Sequence, residues 1–120
     1  MDVIRTKEVE PFITADGSQI RELFNPHNSS LQNQSLAEAT LLPGACTTEH
    51  FHPHAEEIYY ILQGRARIRI EGTEKVLEAG EAVAIPNEKR HKIWNIGQEP
   101  LMFLCCCAPA YAHEDTVLTE

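Results

Sequence analysis

Turn-forming residues interrupt this chain so often that no long helix fits between them. Asp16-Gly17, Asn25-Pro26, Pro43-Gly44, Pro53, Gly64, Glu71-Gly72, Ala79-Gly80 and Pro86 punctuate it from one end to the other. Between these points the apolar residues alternate. The clearest case is Arg65 to Ile70, where Arg65, Arg67 and Arg69 take one face and Ala66, Ile68 and Ile70 the other. Successive side chains leave a pleated strand on opposite faces, so this pattern describes a strand wet on one side and buried on the other. The arginine face is read as a solvated exterior rather than an anion site.

Further strands are expected at Phe12 to Thr14, Ile20 to Phe24, Ser35 to Leu42, Ala45 to His52, Ile58 to Leu62, Lys75 to Leu77, Val83 to Ile85, His91 to Ile96 and Leu101 to Cys107. In Ser35 to Leu42, Ala37, Ala39 and Leu41 share a face opposite Leu36. A short helical turn near Leu31 is the one exception the pattern allows. About ten short strands at a spacing of about 8 to 12 residues define a sandwich or barrel.

A chain of 120 residues is long enough for one domain with its own core. Residues 1–120 are expected to form that domain, with 1–10 and 109–120 as peripheral arms. The tail from Pro109 is expected to be loosely ordered or packed on a neighbour. A net charge of −8 without a basic cluster disfavours nucleic acid. No apolar run approaches the roughly 18 residues of a membrane span. The charged start, MDVIRTKEVE, has no signal-peptide character, which makes the cytoplasm the expected location. Of four cysteines, Cys105, Cys106 and Cys107 are consecutive and alternate in direction, so they cannot converge on one ion; buried, reduced thiols are expected.

The chemistry concentrates in four residues. His50 and His52 lie two apart in an expected strand, which places both imidazoles on one face about 6.5 to 7 Å apart. After the turn at Pro53 the chain returns with Glu57, and His91 arrives from another strand. Three imidazoles and a carboxylate suit one divalent transition metal (Mn, Fe, Ni, Cu or Zn) better than Ca or Mg, which prefer oxygen shells. Glu56 and His54 are left outside this set, since Pro53 breaks the strand before His54. Counting by twos from the ligands gives an expected pocket of Cys46, Thr48, Tyr59, Ile61, Val83, Ile85 and Ile93. Tyr59 is either a polar substrate contact, and so a catalytic candidate, or a core tyrosine with a satisfied hydroxyl. Cys46 is either a substrate contact or buried filler. Trp94 has the opposite parity to His91 and is expected to pack between sheets or at a subunit contact.

The spacing of these residues resembles the cupin family. Gly44, five residues, His50, one, His52, four, Glu57, six and Gly64 match its first motif, over 44–64. Gly80, five residues, Pro86, then His91, three and Asn95 match its second, over 80–95. One position departs: Glu88 stands where the family has glycine. The resemblance implies an all-β jelly-roll barrel (a double-stranded β-helix), metal ligation by His50, His52, Glu57 and His91, and a homodimer. It does not name a reaction, because cupins include dioxygenases, isomerases, epimerases, lyases, decarboxylases and plain binding modules. Two functions are therefore expected to compete. One is a metalloenzyme acting on a small oxygen-rich molecule. The other is a non-catalytic small-molecule-binding module with a structural metal, motivated by the lack of an acidic residue in the site beyond Glu57.

Overall fold

The computed structural model describes residues 1–120. Its strands are β1 (Phe12–Ile13), β2 (Gln19–Phe24), β3 (Ser35–Leu41), β4 (His50–Phe51), β5 (Glu56–Gln63), β6 (Arg65–Ile70), β7 (Thr73–Glu78), β8 (Ala82–Ile85), β9 (His91–Asn95), β10 (Leu101–Ala108) and β11 (Val117–Leu118). They form two antiparallel sheets, one of six strands in the order β1-β2-β3-β10-β5-β8 and one of five in the order β11-β4-β9-β6-β7. The strands alternate between sheets as the chain winds, which is the double-stranded β-helix. No helix is long and apolar enough to cross a membrane.

Alternation decides which faces meet. Along β3, Ser35, Ala37, Ala39 and Leu41 are buried, and along β5 Glu57, Tyr59 and Ile61 are buried while Ile58, Tyr60 and Leu62 face outward. Phe103, 1% exposed, sits on β10 between Ala39 of β3 and Ile61 of β5. A ring beside a methyl group is how two flat faces fill without voids. Burial of such a side chain contributes about 1.5–3 kcal/mol. Ile68, Ile85, Ile93 and Leu101 complete the core.

Two motif residues have structural reasons. Gly64 has φ 92°, and a Cβ there would lie 3.2 Å from Leu101 Cα and Pro100 O, so both conformation and space require glycine. Buried Asn95 donates from Nδ2 to Leu41 O and Glu99 O at 2.9 Å and accepts from Gly97 N at 2.9 Å. It closes the loop after β9.

Glu88 occupies its family's glycine position without relaxing it: φ is 70°, and its amide donates to His52 O at 2.8 Å. Left-handed backbone costs a side-chain-bearing residue about 1–2 kcal/mol, against about 0.5–1 kcal/mol of extra chain entropy for glycine. Glu88→Gly is therefore expected to stabilise the fold by about 0.5–1 kcal/mol, read as a higher urea midpoint at unchanged m-value. A lower midpoint would contradict the strain assigned to this turn.

Four expectations are corrected. The segment Ala45 to His52 is not one strand. Thr47 N donates to Ile93 O, Thr48 N to Asp16 O, and Asn95 N to Ala45 O, so the backbone is held from two sides and loses its pleat. Thr47 and His50, three apart, both turn inward, and Cys46 is exposed. Of the two placements expected for Trp94, the one between the sheets is not found. Trp94 is on the outer face of the five-stranded sheet, with the Arg67 guanidinium 4.4 Å and the Arg69 guanidinium 5.1 Å from its ring centre. The arginine stripe thus half-covers an aromatic ring, the favoured placement for a cation over indole. No helical turn forms near Leu31; 3-10 turns lie instead at Thr6–Glu8 and His113–Asp115.

The fourth correction concerns the tail. β11 pairs antiparallel with β4, Val117 opposite Phe51 and Leu118 opposite His50. Glu120 accepts from Glu49 N at 3.0 Å and pairs with Lys92. The tail belongs to the barrel wall because β4, two residues long, otherwise offers an unpaired edge.

Candidate metal centre

The site forms where the two sheets face each other at one end of the barrel. His50 and His91 are direct cross-strand partners on β4 and β9, and Glu57 on β5 approaches from the opposite sheet. His52 follows β4. All four are buried, none more than 6% exposed. One ring nitrogen from each of His50, His52 and His91 lies within 4.8 Å of the others, so these three could hold a metal ion. Glu57 Oε1 is 3.4 Å from His52 Nε2 and 3.5 Å from His91 Nε2.

The far side of each ring fixes its chemistry. His50 Nδ1 meets Thr48 O at 2.7 Å, His52 Nδ1 meets Asp115 O at 3.1 Å, and His91 Nδ1 meets Lys89 O at 3.0 Å. A carbonyl oxygen only accepts, so each Nδ1 carries the hydrogen and each Nε2 turns a lone pair inward. His52 Nε2, His91 Nε2 and Glu57 Oε1 are buried with no hydrogen-bond partner. Acceptors facing acceptors in a dry interior are costly unless a cation sits among them. Backbone-anchored imidazoles are also how metal sites orient their ligands. The donor set therefore fits a divalent ion.

Electrostatics within the cluster reflect the same crowding. Burial pushes His50 below its ordinary value, and nearby His91 adds to this. Burial also opposes the charged form of His52, but Glu57 and the Asp115 carbonyl outweigh it and raise this imidazole. For Glu57, burial is overcome by His52 and His91, which hold the carboxyl well below the usual carboxylate range. The Cys107 thiol, raised by burial and by the adjacent carboxylate, stays protonated and donates to Glu57 Oε2 at 3.1 Å. That bond occupies one carboxylate oxygen and leaves the other for the centre.

A narrow cavity of about 40 Å3 adjoins the cluster. Tyr59 lines it, stacked edge-on toward His91 and packed on Phe103 with ring centres 4.8 Å apart. Burial and Glu57 raise the Tyr59 phenol, keeping it protonated. The other expected pocket residues lie elsewhere. Ile61, Ile85 and Ile93 belong to the core below, and Val83 packs against that core half-buried. Cys46 is exposed, and Thr48 contributes its carbonyl to His50 rather than a side chain to the cavity, because parity fails across the irregular backbone before β4.

Residues not anticipated take their places. Cys105 and Cys107 line the cavity, as the alternation that buries Phe103 implies. Asp16 and Tyr111 also line it, from a turn and from the tail, where no periodicity marks them. Asp16 Oδ2 is 3.7 Å from His50 Nε2. Asp115, also unanticipated, accepts from His54 N and Ala55 N at 3.0 Å and contacts His54 Nδ1 at 2.8 Å, while its carbonyl holds His52. His54 itself points outward.

Two facing antiparallel sheets with a buried three-histidine cluster at one end define a jelly-roll barrel with a potential metal centre. The family model described as Cupin domain matches residues 37–107. The chain belongs to the cupin family. An uncharacterized protein of Methanocaldococcus jannaschii is 44% identical over 100% of this chain and 98% of its own length. The polyketide synthase CurC of Streptomyces cyaneus is 29% identical, over 95% of this chain and 77% of its own. Among solved structures, a predicted oxalate decarboxylase from Thermotoga maritima aligns with a TM-score of 0.81 at 25% identity, over 90% of this chain and 99% of that one. The polyketide cyclase RemF from Streptomyces resistomycificus aligns at 0.79 and 22% identity, over 90% and 79%, a likeness of fold.

Proposed function

We propose that His50, His52, His91 and Glu57 together hold one divalent transition-metal ion, and that the protein is a metalloenzyme acting on a small molecule in the adjoining cavity. The observation that carries this reading is the set of unpartnered, buried lone pairs on His52 Nε2, His91 Nε2 and Glu57 Oε1. Three nitrogens and one carboxylate suit Mn, Fe, Ni, Cu or Zn. An ion held by these residues would supply Lewis-acid chemistry. The chain's own residues do the rest. The carbonyls of Thr48, Lys89 and Asp115 aim the imidazoles, and Cys107 restrains Glu57. Tyr59 and Phe103 keep water from one side. Asp16 places an acidic group beside the centre that is not one of the four ligands. A carboxylate outside the ligand set is a candidate general base, which supports the enzyme reading over a non-catalytic module.

Elemental analysis of the purified protein should find one equivalent of a first-row transition metal. Reconstitution with Fe, Mn, Ni and Zn separately, followed by oxygen uptake and turnover of sugars, keto acids and diketones, then separates the two functions. Silence with every metal alongside tight ligand retention would favour the module. Metal affinity should fall as pH drops through about 6.5, because protons compete for the imidazole lone pairs. An affinity flat from about pH 5 to 8 would contradict imidazole ligation.

A further inference from the structure

We propose that the cavity beside this centre selects a small, uncharged, hydroxyl-bearing ligand and discriminates against carboxylate and phosphate anions. The inference rests on the metal reading above and adds the ligand class. Its basis is the charge of the walls. Asp16 and Glu22 line the cavity together with Glu57, and no lysine or arginine does. The same lining includes the apolar Ile20, Ala37 and Phe103, with Ala37 directly across the strand pair from Glu22.

Asp16 is built for one task. Its Oδ1 accepts three hydrogen bonds, from Thr14 Oγ1 at 2.6 Å, Ser18 N at 2.9 Å and Ser18 Oγ at 2.6 Å. Its Oδ2 accepts none of these and lies 3.7 Å from His50 Nε2. A ligand hydroxyl bound at the open side of the centre can donate its hydrogen to Oδ2; a carboxylate or phosphate oxygen brings only a second acceptor there.

The charges agree with the hydrogen bonding. A divalent ion is balanced by the single charges of Glu57 and Asp16, so an uncharged ligand leaves the centre neutral. A dianion leaves it strongly negative, facing Glu22, in a medium where like charges repel far more than in water. His113 lies at the mouth beside Glu22, in a groove outside the cavity. The chain's net charge of −8 further repels anions on approach.

The test compares lactamide with lactate, which share the hydroxyl and the methyl and differ in charge. Both are titrated onto metal-loaded protein of verified metal content by ligand-observed NMR. Oxyanions grip divalent ions well in free solution, so the readout is the lactamide-to-lactate affinity ratio across variants. Asp16→Asn keeps an Oδ1 acceptor for the turn and should lower that ratio about tenfold or more, the size of a hydrogen bond to a charged group. Glu22→Gln removes charge from the wall without touching that turn and should lower the ratio by a smaller factor; it decides the matter alone if Asp16→Asn does not fold. A ratio unmoved in the folded variants, or neither compound retained at full metal content, overturns the proposal. Protein that takes up no metal under any loading condition overturns the metal reading, and the ligand class with it.

Discussion

His91→Ala should lower metal stoichiometry below the one equivalent expected of the wild type. His91 is 1% exposed, its Nδ1 is anchored to Lys89 O, and its Nε2 has no other partner within the chain. Removing it takes one of three imidazoles from the donor set and leaves two imidazoles and a carboxylate, a weaker site than the four-ligand one. The thermal consequence depends on the metal. A ligand at about 100 times its Kd stabilises the folded state by about 2.7 kcal/mol, which for a domain of this size raises Tm by about 10 °C. Wild type should show that increment on metal addition and the variant a smaller one. In chelator the difference should shrink, because the metal-free wild type keeps an unpaired buried nitrogen that the variant lacks, offsetting part of the space left by the ring. Calorimetry with and without chelator measures both terms. Full metal occupancy in the variant would remove His91 from the ligand set.

The second large effect is expected far along the chain, at Asp115→Ala. This side chain accepts from two backbone amides and pairs with His54, which pins the segment whose carbonyl orients His52. The substitution keeps the carbonyl but frees the segment that carries it, which should lower metal affinity by up to about tenfold, the low end of the cost of removing such an outer partner outright. Stability should fall by about 2 kcal/mol from the lost charge-assisted hydrogen bonds. Partial burial works against the Asp115 charge, but the bonds from His54 and Ala55 prevail and hold the carboxyl below the ordinary aspartate value. A depressed carboxyl stabilises the fold above its unfolded value, about pH 3.9, and loses that contribution as pH falls through its folded value. The wild-type advantage over Asp115→Ala should therefore be complete at neutral pH and disappear in strong acid. Equal metal affinity in the two proteins would mean that the tail only covers the barrel.

Local pattern was enough for the sheet framework and for the inward faces of β3, β5, β6 and β10. Alternation is a property of neighbouring residues and survives in any sheet. The set His50, His52, Glu57 and His91 came from the resemblance to the two cupin motifs, whose glycines Gly44, Gly64 and Gly80 take positive φ. Cys105 and Cys107 were within reach of the same parity rule that placed Phe103. What the rule could not reach was any residue carried by irregular backbone. Cys46 and Thr48 failed as pocket residues because amides from different elements hold 45–49 and break the pleat. Asp16 enters the site through a turn, and Tyr111 and Asp115 through a tail that becomes a wall only when β11 meets the short edge of β4. Sequence alone pointed to a barrel of short strands and brought forward the three histidines that the structure clusters, His50, His52 and His91. The tertiary structure decided which carbonyl aims His52 and which carboxylates face the cavity, since these contacts join distant segments, 63 positions apart between His52 and Asp115. No periodicity along a chain encodes a meeting at that distance; packing of the finished sheets does.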